Sequence, residues 1–65
     1  MTIGERFKEL RVKNNLKQID FAKKIGISQS TLSEIEKGRS NPSVDTVIST
    51  SKHFMVTTDW LLKGD

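Results

Sequence analysis

Apolar residues recur along this chain in short bursts at three- and four-residue intervals, and no stretch alternates with the two-residue period of a strand. The bursts predict five short helices and no β-structure, an all-α unit in one domain spanning residues 1–65. Thr2 followed by Glu5 is a capping-box pattern; it opens a first helix in which Ile3, Phe7 and Leu10 share a face through about Lys13. Asn14 and Asn15 supply a residue able to turn left-handed at its end. Leu16 leads into a second helix over roughly residues 17–25, with Phe21, Ala22 and Ile25 inward, and Gly26 stops it. Ser28 caps a third helix over about residues 29–37, which Gly38 ends. After "RSNPS", the loop that holds the one proline, Ser43 caps a fourth helix over about residues 44–53. Val44, Val47, Ile48, Ser51 and Phe54 are expected to face inward from it. A last short helix in "VTTDWLLKG" is capped by Thr57 and closed by Gly64, and its Trp60, Leu61 and Leu62 return apolar surface to the core or to a partner.

The segment "GISQSTLSEIEKG" carries an unusual surface. Leu32, Ile35 and Glu36 lie on one side of the third helix, while Gln29, Ser30, Ser33 and Lys37 lie on the other. Those outward residues are hydrogen-bonders rather than the Glu/Lys pairs of an ordinary solvated helix. The stretch from Gln18 to Gly38 is also one spacing problem. Two helices joined by a three-residue turn approach closely at a steep angle, so the crossing needs a small residue and the turn favours a positive φ. Ala22 and Gly26 occupy those positions, and Phe21, Ile25, Ile27, Leu32 and Ile35 fill the inward ones.

Length and composition narrow the function. A chain of 65 residues buries only about 60% of its unfolded surface. With no cysteine it has neither a disulfide nor a thiolate metal site to add stability. No segment has the apolar length of a membrane span or the core of a signal peptide, which points to a cytoplasmic protein. Net charge is +3, unevenly spread: residues 1–24 hold seven bases against three acids, and residues 25–65 hold four against five. A basic first third suits a polyanion, although many small domains carry such a charge without one.

The helix–turn–helix in register over Gln18–Gly38 resembles that of the lambda-repressor-like, or xenobiotic-response-element-type, DNA-binding regulators. The resemblance runs on through "GRSNPSVDTV" and "VTTDWLLKG", nearly the whole chain. It implies a sequence-specific double-stranded DNA-binding regulator, a repressor of phage or bacterial type, with helix 29–37 in the major groove. Gln29 matches the leading base-contact position, where glutamine can pair with N6 and N7 of adenine. Ser30 and Glu34 match further base-facing positions, glutamate favouring a cytosine amino group; Thr31 and Ser33 suit a phosphate or a thymine methyl. Gln18 matches a position that holds phosphate and braces the glutamine on the next helix. Lys17 departs from the usual capping Ser, Thr or Asn, trading a cap for a phosphate contact. Arg39, Ser40 and Asn41, with Lys37, match a loop that grips the DNA backbone; Lys13 and Arg6 are weaker candidates. Arg11 and Glu36 match a pair of positions read as an ion pair between helices one and three. The resemblance further implies a homodimer on an inverted-repeat operator, with Met55, Val56, Trp60 and Leu61 as the dimer surface if they are not simply core.

Other chemistry finds little support. His53 is alone, so it makes neither a metal site nor a dyad, and no cofactor is expected. "STSK" at residues 49–52 matches the Ser-x-x-Lys string of penicillin-binding enzymes, but the companion motifs are missing and an enzyme is discounted. Lys23 and Lys24 read as a solvated pair. Two alternatives stay open: an antitoxin or adaptor whose main partner is a protein, and the DNA-reading part of a longer repressor that continues beyond "LLKGD".

Overall fold

The computed structural model describes residues 1–65 as five helices without strands: α1 (Ile3–Lys13), α2 (Gln18–Ile25), α3 (Gln29–Glu36), α4 (Val44–Phe54) and α5 (Thr58–Lys63). Each begins on an extended residue, and four of the five have a side-chain cap. The Thr2 hydroxyl accepts from the Glu5 amide while the Thr2 amide donates to Glu5 Oε1 at 2.8 Å. Hydrogen bonding from the Thr2 backbone first, and with its side chain second, holds the Glu5 carboxyl below its ordinary value. Ser28, Ser43 and Thr57 accept in the same way from Thr31, Thr46 and Trp60. Only Lys17, at the head of α2, offers no side-chain cap.

The helix ends follow one rule. After α1, Asn15 turns left-handed (φ 56°), so Leu16 N–H reaches back to Arg11 O and Asn15 N–H to Val12 O. After α3, Gly38 does the same (φ 80°), closing Arg39 N–H onto Glu34 O and Gly38 N–H onto Ile35 O. These are Schellman closures, which satisfy carbonyls the helix leaves unpaired. The last turn tightens at Lys37, so α3 ends one residue before the expected boundary.

The helices wrap one core of Phe7, Leu10, Phe21, Ala22, Ile25, Leu32, Ile35, Val47 and Leu61. Phe54 joins α4 to α2 by stacking on Phe21, ring centroids 4.7 Å apart. The face α4 turns inward differs from the sequence expectation. Val44 and Ile48 are exposed, and Thr46 and Thr50 are buried beside Val47. Thr50 is fully enclosed because its hydroxyl donates to Thr46 O, 2.7 Å away in the same helix. Thr46 Oγ1 accepts from Ser43 Oγ at 3.0 Å. With its hydroxyl satisfied locally, a threonine enters a core as a small apolar residue. Ser51 is half-buried and donates to Val56 O.

Two residues fix how the helices meet. Gly4 packs α1 directly on α3: a Cβ there would lie 2.0 Å from the carbonyl oxygen of Ile35. Arg6 is buried, 6% exposed, and spends its guanidinium on carbonyls. Nε donates to Leu61 O at 2.8 Å, Nη2 to Leu62 O at 2.9 Å and Nη1 to Met1 O at 2.7 Å. A cation at the carbonyl end of α5 also meets the negative end of its helix dipole. Arg6 is therefore a clasp between the N-terminus and α5, and its side chain is not available to a phosphate.

Candidate nucleic-acid interface

The three-residue joint from Gly26 to Ser28 sets α3 on α2. Gly26 takes φ 80°, Ile27 N–H closes onto Ala22 O at 3.0 Å, and Ile27 tucks against the core. Ala22, 1% exposed, leaves room for the crossing. With Leu32 and Ile35 drawn fully into the core, α3 can present only its polar side. Gln29, Ser30, Thr31 and Lys37 are exposed there, with Ser33 and Glu34 half-exposed. The first turn is ordered by its cap, since Ser28 Oγ donates to Thr31 Oγ1 at 2.8 Å and lies 3.3 Å from Ser30 Oγ. Thr31 accepts in that bond, so its own hydroxyl proton is free for another acceptor.

Beyond α3 the loop carries Arg39, Ser40 and Asn41, all exposed. Arg39 Nη1 lies 3.8 Å from Glu34 Oε2, a loose surface pair, and that oxygen is covered without receiving a hydrogen bond. Such a pair contributes little to stability, which leaves both groups free to exchange partners. Lys17, uncapped and exposed, stands at the start of α2.

Behind this face sits a shared anchor. Arg11 Nε donates to Glu36 Oε2 at 2.8 Å and Arg11 Nη2 to Glu36 Oε1 at 3.0 Å, a two-pronged ion pair between α1 and α3. Both side chains are largely buried. The Glu36 hydrogen bonds raise the Arg11 pKa above its ordinary value, with burial acting in the opposite sense. Arg11 Nη1 also donates to Leu16 O at 3.1 Å, so one guanidinium holds α1, the α1–α2 turn and α3. Gln18 joins the same anchor: its Nε2 donates to Glu36 Oε1 at 3.0 Å. The expected brace on Gln29 is replaced by this bond, because Glu36 offers a carboxylate that is already held in place. Nothing in the sequence flagged Gln18 and Glu36 as partners, since their spacing fits no local helical contact.

The residues read as a dimer surface separate. Leu61 is fully buried in the core and is removed from any surface role. Met55 is 92% exposed, while Val56 and Trp60 are half-buried along a groove of about 370 Å³ between α1 and the α4–α5 turn. A second groove, about 320 Å³, lies between α4 and α5 and is lined by Pro42, Val44, Val47, Ile48, Thr58 and Leu62. Its walls include the two α4 residues that the core left outside. No group of His, Asp, Glu or Cys residues is placed to hold a metal ion, and no helix is long and apolar enough to cross a membrane.

This arrangement of a buttressed helix pair with a polar outer face defines a class. The Helix-turn-helix family model matches residues 7–61. The chain belongs to the helix-turn-helix family. It is 37% identical over 65 residues to the HTH-type transcriptional regulator ImmR of Bacillus subtilis (strain 168), covering 100% of this chain and 51% of that protein. It is 39% identical over 64 residues to the HTH-type transcriptional regulator DdrOP3 of Deinococcus deserti, covering 98% of this chain and 50% of that protein. The chain thus spans about half the length of these curated relatives. Among solved structures, the P22 c2 repressor protein in complex with synthetic operator 9T superposes with a TM-score of 0.93 at 31% identity, covering 100% of this chain and 98% of that one.

Proposed function

We propose that this chain is a sequence-specific double-stranded DNA-binding module of a transcription regulator, a repressor by type, that reads the major groove with the outer face of α3. The observation that carries the reading is that face itself. It is rigidly seated from behind by Gly4, Arg11 and Glu36, and it offers short hydrogen-bonding side chains where an ordinary surface helix carries mobile charges. The likeness of the whole chain to a repressor bound to its operator supports it. In this reading Gln29 pairs with adenine, Glu34 takes a cytosine amino group, and Ser30, Thr31 and Ser33 complete the base-facing row. Gln18, Lys17, Lys37, Arg39, Ser40 and Asn41 grip the phosphates, and the work is binding rather than catalysis.

One such module covers little DNA, so two copies on an inverted repeat are part of the proposal. Half-sites one helical turn apart place the two centres about 34 Å from each other. The Cα extents of the chain are 26 × 23 × 21 Å, so neighbouring copies meet only through protruding side chains. The exposed Val44, Ile48 and Leu62 beside the Arg39–Asn41 loop are the dimer face we favour over Met55 and Trp60, because they adjoin the residues assigned to the DNA backbone.

The test is selection of bound duplexes from a randomised pool at near-physiological salt. An enriched inverted repeat with half-site centres about 10 base pairs apart is the expected result. Binding without enrichment that disappears as salt rises would reduce the reading to nonspecific attraction.

A further inference from the structure

We infer that the groove between α1 and the α4–α5 turn is a second self-association face, filled by another copy of this chain about a two-fold axis. It shares no residue with the groove assigned to the operator dimer, and the inference does not depend on DNA binding. Its most prominent residue is Met55, 92% exposed and at φ 54°. That conformation carries a steric penalty for any residue but glycine. The turn is nevertheless firmly tied: Met55 N–H and Val56 N–H both close onto Ser51 O, and Ser51 Oγ donates to Val56 O. A methionine side chain is thus held out into water at a conformational cost, while burying almost nothing within the chain. Beside it Leu10, Val56 and Trp60 form an apolar hollow, and Trp60 is half-buried. Knob and hollow belong to one patch, which is the shape an isologous contact requires, each copy giving what the other receives.

The rim decides the occupant. Glu9 and Lys13, both exposed on α1, flank the groove. They stand four residues apart in the order that favours a pair along one helix. Yet the ion pairs of the chain are Arg11–Glu36 and Arg39–Glu34, and neither Glu9 nor Lys13 joins one. A rim with one charge of each sign gives no net attraction to a polyanion or to an acidic or basic peptide. It does match its own inverted image. Residues four apart lie about 6 Å apart along a helix axis. A two-fold axis crossing α1 midway between them, with the two α1 helices antiparallel, sets Glu9 of each copy level with Lys13 of the other. In that arrangement each Met55 faces the hollow of the opposite copy, and methionine and tryptophan are the residues in which the centres of interfaces are enriched. On the DNA reading proposed above, a chain with two separate self-complementary faces can link one operator-bound pair to the next.

A charge-reversal series without DNA tests the face. The Met55 methyl signal is followed by NMR as protein concentration rises, with Met1, which lies outside the groove, as the control. Sedimentation velocity measures the association in parallel. The Met55 signal of the wild type is expected to move with concentration while that of Met1 stays. Glu9→Lys and Lys13→Glu, each alone, are expected to weaken the association at least about tenfold, because each sets like charges opposite one another. An equimolar mixture of the two variants is expected to recover it, since every rim position then meets its opposite. Net repulsion predicts otherwise: Lys13→Glu brings the formal charge of +3 nearer zero and would by itself promote association. Both side chains are exposed, so circular dichroism is expected to show both variants folded. A Met55 signal indifferent to concentration would overturn the proposal and leave the DNA-binding reading intact. So would a movement that survives both reversals, or variants that stay apart when mixed.

Discussion

Gly4 sits in the first turn of α1 with the Ile35 carbonyl where its side chain would be, and alanine there would bring a Cβ within 2.0 Å of that oxygen. Gly4→Ala is therefore expected to force α1 away from α3, at a cost of about 2 kcal/mol. For a chain of this size that lowers Tm by roughly 10 °C; an unchanged thermal melt would show that the helices can part freely. The outward side of α3 is the opposite case. Gln29 is exposed and touches nothing structural, so Gln29→Ala is expected to leave the melt alone. On the best duplex it costs about 1–3 kcal/mol and relaxes one base position. An unaltered preference at every base would take Gln29 out of the reading row. Neither Gly4 nor Arg6 was legible in the sequence as a structural residue. A glycine inside a helix reads only as a cost, and Arg6 reads as a surface cation, because its partners Leu61 and Leu62 lie more than fifty residues away. The outward residues of α3 stood out because the register of buried neighbours assigns them a side.

The beginnings and ends of the helices were the readable part of the fold, since caps and left-handed stops are decided within four or five residues. Thr2, Ser28, Ser43 and Thr57 all cap where the sequence placed them, and Asn15, Gly26, Gly38 and Gly64 all take positive φ. The inward face of α4 was not readable by residue type, because Thr46 and Thr50 hide their hydroxyls on neighbours and displace Val44 and Ile48 outward. The same helix ends in an exception. Met55 takes φ 54° while 92% exposed, where glycine would carry no steric penalty. Met55→Gly is expected to raise stability by up to about 1 kcal/mol, seen as a higher Tm; a lower Tm would mean that the exposed side chain makes a packing contribution larger than its backbone strain. Between elements, the Arg11 side chain holds α1, the α1–α2 turn and α3 by three bonds at most 3.1 Å long, two to Glu36 and one to Leu16 O, and the Leu16 amide closes back onto Arg11 O at 3.2 Å as a separate backbone tie. Arg11→Ala leaves Glu36 nearly buried without its cation and is expected to cost about 3 kcal/mol. An unaltered melting temperature would remove the pair from any structural role.

For the molecule as a whole, charge separates two kinds of contact. Arg39 is exposed and only loosely paired with Glu34, so Arg39→Ala is expected to spare stability. It should weaken every duplex alike and lower the slope of log affinity against log salt by about 0.9; a loss confined to one base sequence would reassign Arg39 to base reading. The candidate interface was legible in outline because it follows from the turn register. Its internal wiring was not, since Gln18 meets Glu36 only once α2 and α3 have folded against each other. A different consequence follows from the clasp at Arg6. One guanidinium grasps Met1 O and the carbonyls of Leu61 and Leu62, and Gly64 lies against it, so residues 1 and 64 of this unit lie side by side. This unit is thus close to being a ring: a short peptide joining residue 65 to residue 1 would close it without bending any helix, and the unit could be opened afresh at an exposed loop such as Arg39–Asn41.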